Sequence, residues 1–167
     1  IIIPLWNAYS FLVTYARVDG WEPDPDAPPA DPANVLDAWI LSRLQQAVVD
    51  IRERMDTYDL QRAAQRFIGL IEELTNWYIR RSRRRFWKSS NDADKAQAYA
   101  TLHHVLLTFT KLAAPFIPFV TDTIFRNLRT SQMPVSVHLC DFPEVNENLL
   151  DAALSRRMAD VMTAVSL

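Results

Sequence analysis

Residues 98–116 read AYATLHHVLLTFTKLAAPF, and the spacing of their apolar side chains decides the fold. Alternating intervals of four and three residues are typical of a helix that packs along an antiparallel neighbour. We expect this helix to begin near residue 91 and to break or kink at Pro115 and Pro118, because proline cannot continue a helical hydrogen-bond ladder. A shorter helix should follow to about Arg129. The apolar positions of the long helix are Ala98, Leu102, Val105, Phe109, Leu112 and Phe116.

The composition of the chain favours more helices of the same kind. The sequence has 167 residues, of which 49% are hydrophobic and 23% charged, as in globular proteins. Only two residues are glycine, Gly20 and Gly69, whereas turns and hairpins normally use many glycines. The sequence therefore predicts an all-α antiparallel helix bundle, with residues 1–167 in one domain.

Signals for the start and end of helices divide the first half of the chain. A helix is expected at about residues 3–17, before the turn signal Asp19-Gly20. A proline-rich loop should then occupy residues 18–34. Asn34 can start a second helix that extends to about position 56, and Asp59 can cap a third helix.

The last part of the chain is expected to contain a connector and a terminal helix. Residues 130–146 form the predicted connector, and the alternation of apolar and polar residues near 134–140 predicts a short strand or extended arm within it. Asn146 can cap a terminal helix at residues 147–167. The side chains of that helix expected to face the core are Leu150, Leu154, Val161 and Val165.

Positive charge is concentrated in residues 76–88, which read NWYIRRSRRRFWK. No aspartate or glutamate occurs between Asn76 and Ser90. The whole chain has 18 lysines and arginines against 20 acidic residues, so the chain outside this segment has 12 cations and a charge of about -8. The positive field is therefore local, a basic patch on an acidic chain. The six cations are Arg80, Arg81, Arg83, Arg84, Arg85 and Lys88.

RNA is the partner that this segment suits best. Guanidinium groups bind phosphates in a forked geometry. Core packing is the first interpretation of the neighbouring rings of Trp77 and Trp87, and exposed stacking on unpaired bases is the alternative for each. Single-stranded or looped RNA is favoured over a duplex, and we expect neither DNA nor a membrane as partner. A solvated helix face is an alternative, although such faces usually mix the two signs of charge. A membrane-surface segment is another, but the acidic remainder would be repelled by anionic lipids.

A helical wheel of the third helix reveals a conflict between its apolar and cationic faces. If the helix continues past Ile79 at about 100° per residue, four of the six cations fall in the same sector as its apolar side chains. These cations are Arg81, Arg84, Arg85 and Lys88, and the apolar side chains are Leu60, Phe67, Leu74 and Tyr78. Burying several unpaired guanidiniums would cost many kcal/mol. We therefore expect the helix either to overhang the bundle or to stop and turn near Ser82.

Nothing in the sequence predicts catalysis. The single cysteine, Cys140, cannot form an internal disulfide and suits a reducing cytosol, and its proximity to His138 is weak evidence for a nucleophile. His103 and His104 fit ordinary helix positions. The sequence has no CxxC or HExxH spacing for a metal, and its two isolated glycines cannot form a phosphate loop. Because it begins on Ile1, inside an apolar run, we expect the chain to be a piece of a longer polypeptide.

Residues 76–87, NWYIRRSRRRFW, closely resemble a signature of the anticodon-binding domain of isoleucyl-tRNA synthetases. The valyl and leucyl relatives share the WY pair, but valyl enzymes typically have an acidic residue after WYI, where this chain has Arg80 and Arg81. Ala38 departs from the family, which often has a basic residue there. Four other stretches are similar to the same family in the same order: WNAYSFLVTYARVDGW at 6–21, LDAWILSRL at 36–44, YATLHHVLLTFTKLAAPFIPF at 99–119 and SVHLCDFPEV at 136–145.

The resemblance implies a part of a class I synthetase that uses ATP and magnesium to attach isoleucine to its tRNA in the cytoplasm. The HIGH-like and KMSKS-like motifs of the catalytic domain do not occur in this sequence, so we expect the chain to bind the anticodon arm and to be non-catalytic by itself. Catalytic and editing domains of the same polypeptide would be its partners. Two alternatives stay open: a structural bundle that docks on an acidic neighbouring domain, and a free-standing tRNA-binding paralogue without ligase activity. The RNA-contacting residues implied are Trp77, Arg80, Arg81, Arg83, Arg84, Arg85, Trp87 and Lys88.

Overall fold

The computed structural model of the chain describes residues 1–24, 33–88 and 92–166. These residues form helices and contain no β-strand, which confirms the all-α prediction. A π-helical segment, Glu73–Ile79, joins α3 to α4 without interruption. The helices are α1 (Ile2–Asp19), α2 (Val35–Asp56), α3 (Leu60–Glu72), α4 (Arg80–Lys88), α5 (Asp92–Ala113), α6 (Pro118–Leu128) and α7 (Ala152–Ser166), with 3-10 turns at Val137–Leu139 and Glu147–Leu149.

Helices α2 and α5 form the centre of the bundle. α2 packs against α3, α5 and α7, while α5 also contacts α1, α4 and α6. Helix α1 joins the same core through Leu5, Ala8, Leu12 and Ala16. Because α2 has neighbours on several sides, its buried residues extend well beyond one stripe: they include Trp39, Ile40, Leu41, Leu44, Ala47, Val48 and Ile51.

Side-chain caps begin two of the helices where the sequence placed them. Asn34 Oδ1 accepts a hydrogen bond from the Leu36 N–H (2.9 Å), and Asp59 Oδ1 accepts one from the Arg62 N–H (3.2 Å). Each bond satisfies an amide that has no partner within the helix. The break predicted between α5 and α6 is also confirmed, since α6 begins on Pro118.

The third helix neither overhangs the bundle nor stops near Ser82, so that prediction is wrong. Glu73 and Arg80, at the two ends of the π segment, both have helical backbone angles. A π turn contains one residue more than an α turn, which rotates all later residues by about 100° relative to an uninterrupted α-helix. The rotation places Ser82 and Phe86 in line with the buried side chains of the π segment, where both are buried.

The turn between α2 and α3 contains a tyrosine in a left-handed conformation. Tyr58 has φ 58° and is 88% exposed. Its N–H donates to the Met55 carbonyl (3.0 Å), and the Asp59 N–H donates to the Arg54 carbonyl (2.8 Å), as in a Schellman motif. Glycine usually occupies this position because a Cβ atom crowds the backbone there.

Replacing Tyr58 with glycine should raise the free energy of unfolding by about 1 kcal/mol. The substitution removes the left-handed strain, and the exposed ring contributes little packing that could be lost. Urea denaturation measures the change. Tyr58→Ala is the matched control, because alanine keeps the Cβ atom and should leave the free energy within about 0.5 kcal/mol. A loss of stability in Tyr58→Gly would contradict this account.

The predicted extended arm near 134–140 is instead centred on a 3-10 turn, so the alternation did not produce a strand. Asp122 Oδ1 accepts hydrogen bonds from the Ser136 hydroxyl (2.6 Å) and the Val137 N–H (3.0 Å), which ties the segment to α6. Val137 is buried, whereas Val135 and Leu139 are mostly exposed. The turn therefore anchors one apolar side chain rather than three.

The terminal helix begins later than predicted, and its core-facing side differs. Asn146 caps only the 3-10 turn Glu147–Leu149, while Asp151 Oδ1 accepts from the Leu154 N–H (2.8 Å) at the start of α7. The later start changes the register of the helix on α2. Of the four side chains expected inside, Leu154 is half-buried and the other three are exposed; the residues packed against the core are Leu154, Ser155, Met158 and Met162.

Candidate nucleic-acid interface

The π segment turns four of the six predicted cations towards solvent. Arg80, Arg81, Arg83 and Arg84 are all exposed on α4. Within residues 1–24, 33–88 and 92–166, no carboxylate forms an ion pair with any of them. Their charges are therefore available to an external anion. The side chain of Lys88, a fifth predicted contact, lies outside the described part of the structure.

Arg85 points the opposite way and is held by two carboxylates. Its Nη1 and Nη2 donate to the two oxygens of Asp37 (2.7 and 2.8 Å), and its Nε and Nη2 donate to those of Asp94 (2.9 and 2.7 Å). The side chain is 12% exposed and Asp37 is completely buried. The geometry thus removes Arg85 from the set that can reach phosphates, although the sequence grouped it with them.

In the buried cluster around Arg85, all three guanidinium nitrogens donate hydrogen bonds to carboxylates. Burial opposes the charged form of Arg85, but the hydrogen bonds to Asp37 and Asp94 outweigh burial and raise its pKa. The hydroxyl of Tyr78 also donates to Asp37 (2.7 Å), and burial together with the charge of Asp37 raises the pKa of Tyr78. Asp37 and Asp94 belong to the first turns of α2 and α5, where the helix dipole favours negative charge. Arg85 therefore joins α4 to two other helices.

Each predicted tryptophan lies under an exposed arginine. The guanidinium carbon of Arg81 is 5.1 Å from the centre of the Trp77 ring, and that of Arg83 is 5.8 Å from the Trp87 ring. Trp77 is half-buried and Trp87 is 49% exposed. Each contact places a guanidinium over an aromatic ring, and both kinds of group can stack on a base. The neighbouring Phe86 is instead completely packed inside the bundle.

A cleft of about 460 Å³ adjoins the cationic residues. It lies between the π segment, the start of α4 and the end of α7, and is lined by Asn76, Trp77, Arg80, Arg81 and Val165. Asn76 and the two carboxylate partners of Arg85, Asp37 and Asp94, were not predicted from the sequence. Asn76 directly precedes Trp77 and Tyr78, and a polar residue at that position was a local signal for a binding role. No local signal identified Asp37, which is 48 residues from Arg85.

Cys140 and His103, which are residue types that often take part in catalysis, have surroundings that shift their pKa values. Burial raises the pKa of the Cys140 thiol, which disfavours a reactive thiolate. His103 is buried and donates from Nε2 to the Leu128 carbonyl (2.7 Å), and burial lowers its pKa. Within the described ranges, no group of three His, Cys, Asp or Glu side chains could hold a metal ion. None of the helices described is long and apolar enough to cross a membrane.

Comparison with known families decides what kind of domain this is. A family model described as the anticodon-binding domain of tRNA ligase matches residues 37–167. The chain belongs to this anticodon-binding family. The matched residues of this chain include the π segment, all four exposed arginines and the buried Arg85 cluster. The resemblance seen in the sequence is thereby confirmed.

Three relatives of this anticodon-binding domain are each called isoleucine–tRNA ligase. The Treponema denticola protein is 46% identical over the whole chain, and the Protochlamydia amoebophila protein is 44% identical over the whole chain. The Dehalococcoides mccartyi protein is 44% identical over 99% of the chain. The chain spans only 16 to 17% of the length of these relatives.

Proposed function

We propose that the chain is the anticodon-arm binding module of an isoleucine–tRNA ligase. The observation that carries this proposal is that four arginines of one helix, α4, are exposed and have no carboxylate partner among the described residues. They lie in a domain of the anticodon-binding family. The names of the relatives support isoleucine tRNA as the partner. Residues 1–167 would form one domain, since α1 contributes to the same core as the helices in the family match.

The four exposed arginines would bind phosphates of the anticodon arm. Phosphate contacts set the position of an RNA on a protein but do not read its sequence. Trp77 and Trp87 would support two of the guanidiniums and offer stacking surfaces, and Lys88 would extend the patch. Arg85 has a different role, because all its contacts are internal: it would hold α4 against α2 and α5 so that the exposed residues keep their orientation.

Charging of the tRNA would take place on other domains of the same polypeptide. ATP and magnesium would bind in the catalytic domain of that polypeptide. Exposed apolar residues at the start of α1, Ile1, Ile2, Ile3 and Trp6, support contact with a neighbouring catalytic or editing domain. The whole enzyme would act in the cytoplasm, together with the rest of translation.

Replacing Arg80, Arg81, Arg83 and Arg84 together with glutamine should strongly weaken tRNA binding. For four phosphate contacts, a fourfold rise in salt should weaken wild-type binding about a hundredfold, because each contact releases counterions. The variant should lose most of this dependence, with its slope against the logarithm of salt reduced by about 3 to 4. Filter binding of isoleucine tRNA at several salt concentrations measures both quantities.

The matched control removes four exposed arginines elsewhere and should retain most of the salt slope. Valine tRNA tests selectivity, and equal affinity for both tRNAs would place discrimination outside this chain. Unchanged binding in the α4 variant, or an equal loss in both variants, would contradict the proposal. No tRNA binding by the wild type, with tight association to an acidic domain of the same polypeptide, would favour the docking role instead. The control replaces Arg17, Arg62, Arg156 and Arg157 with glutamine.

A further inference from the structure

The cleft between the π segment and α7 adjoins the phosphate-binding surface and adds an aromatic, an amide and an apolar side chain to it. We propose that this cleft binds one unpaired nucleobase of an RNA loop and that Asn76 reads the edge of that base. The proposal rests on the proposed function and assigns the cleft a ligand and a specificity. Its volume of about 460 Å³ falls within the range of about 300 to 1,000 Å³ that is common for small-ligand sites.

The walls of the cleft suit a flat ring. On one side, the guanidinium carbon of Arg81 lies 5.1 Å from the centre of the Trp77 ring, so these two groups together form one wall. Guanidinium planes and aromatic rings both stack on unpaired bases. On the other side, Val165 of α7 is 59% exposed and offers an apolar surface. A base between them would be covered on both faces.

The charges around the cleft identify the occupant as a nucleotide rather than an apolar ligand. Arg80 and Arg81 are exposed at its rim and form no ion pair with any described residue. A base that enters the cleft carries a phosphate on each side of its sugar, and these phosphates would meet the two guanidiniums. Trp77 is half-buried and held by the bundle, which keeps the stacking surface in place before RNA arrives.

Asn76 gives the cleft a means of distinguishing one base from another. Its side chain is exposed and forms no hydrogen bond to the residues that the structure describes. An amide has both a donor and an acceptor, and asparagine pairs with two edge atoms of adenine. We therefore expect adenine to be preferred at one position of the loop.

The test combines base removal with substitution of the cleft residues. The probe is an RNA hairpin with the anticodon stem and loop of an isoleucine tRNA, in which each loop base in turn is made abasic. One abasic position should weaken binding to the wild-type chain by about 5- to 150-fold. In Trp77→Ala, binding should be weaker and the same abasic position should have little further effect, since contacting groups are not additive. Trp87→Ala is the matched control: it should also weaken overall binding, but the full effect of this abasic position should remain.

A second pair of variants tests the role of Asn76 without disturbing the core. At the sensitive position, replacing adenine with guanine should weaken wild-type binding by about 5- to 150-fold. Asn76→Ala should remove this preference, and Asn76→Gln should restore part of it because it retains an amide. Thermal unfolding of each variant checks that an effect on binding does not result from loss of folding.

Three results would overturn the cleft assignment: equal binding of all abasic hairpins, coupling to Trp87 instead of Trp77, or an unchanged base preference in Asn76→Ala. The arginine-to-glutamine variant separates this failure from that of the proposed function. If that variant loses its salt-dependent binding while the cleft variants show no coupling, only the cleft assignment fails. If that variant binds the hairpin as well as the wild type, the phosphate-binding surface fails too.

Discussion

Replacing Asp37 with alanine should lower the free energy of unfolding by about 3 to 5 kcal/mol. The carboxylate is completely buried and accepts hydrogen bonds from two nitrogens of Arg85 and from the hydroxyl of Tyr78. Its removal leaves the guanidinium of Arg85 largely inside the protein with one of its two partners missing. A buried charge without its partner is far more costly than an exposed one. Urea denaturation followed by circular dichroism measures the loss.

Two single variants and one double variant control this experiment. Arg84→Ala removes an exposed arginine from α4, the helix that contains Arg85, and should change the free energy of unfolding by no more than about 0.5 kcal/mol. Asp94→Ala should cost less than Asp37→Ala, because Asp94 is 32% exposed and water can replace it. Arg85→Ala combined with Asp37→Ala should cost less than the sum of the two single variants, since the partners are coupled. A loss below about 1 kcal/mol in Asp37→Ala would contradict the buried ion pair.

Deleting Arg83 should destabilise the protein by more than about 3 kcal/mol, whereas deleting Asn76 should cost much less. Asn76 lies within the π segment, so its deletion can convert that segment to regular α-helix without rotating later residues relative to the core. Arg83 lies in α4, and its deletion would rotate the residues after it by about 100°. Phe86 and Arg85 would then leave their buried positions.

The comparison of the two deletions is the informative measurement. If the π segment instead became α-helical in the Arg83 deletion, Tyr78 and Ile79 would be displaced, so that variant loses buried contacts in either case. Thermal unfolding of both variants, with helix content from circular dichroism, gives the result. Equal losses in the two deletions would show that the π segment does not set the register of α4.

Local signals in the sequence were sufficient for some of the helix boundaries. Asn34 and Asp59 were predictable as caps because a side chain that accepts from a nearby amide needs no distant partner. The gap between α5 and α6 followed from Pro115 and Pro118 for the same reason. At α7 the prediction was wrong, since Asn146 and Asp151 are both competent caps and only packing on α2 selects between them.

The candidate site depended on information that a local pattern does not contain. The clash between an apolar and a cationic face was visible in the sequence, but it had several solutions, and the extra residue of a π turn was not among those considered. The inward position of Arg85 depends on Asp37 and Asp94, which reach it only after three helices have packed. Exposure of the other four arginines follows from the same rotation, so the sequence identified the residues but not which of them face outward.

The position of the four arginines near the carboxyl end of a long continuous helix has an electrostatic consequence. Carbonyl oxygens without helical partners concentrate partial negative charge in the last turn, and the stabilisation of cations falls off beyond that turn. Arg84 is the exposed arginine nearest to the last turn, so the repulsion among the guanidiniums is reduced mainly at Arg84. Reversing their sign with glutamate would place like charges against this helix end, so neutral glutamine is the gentler probe of the surface.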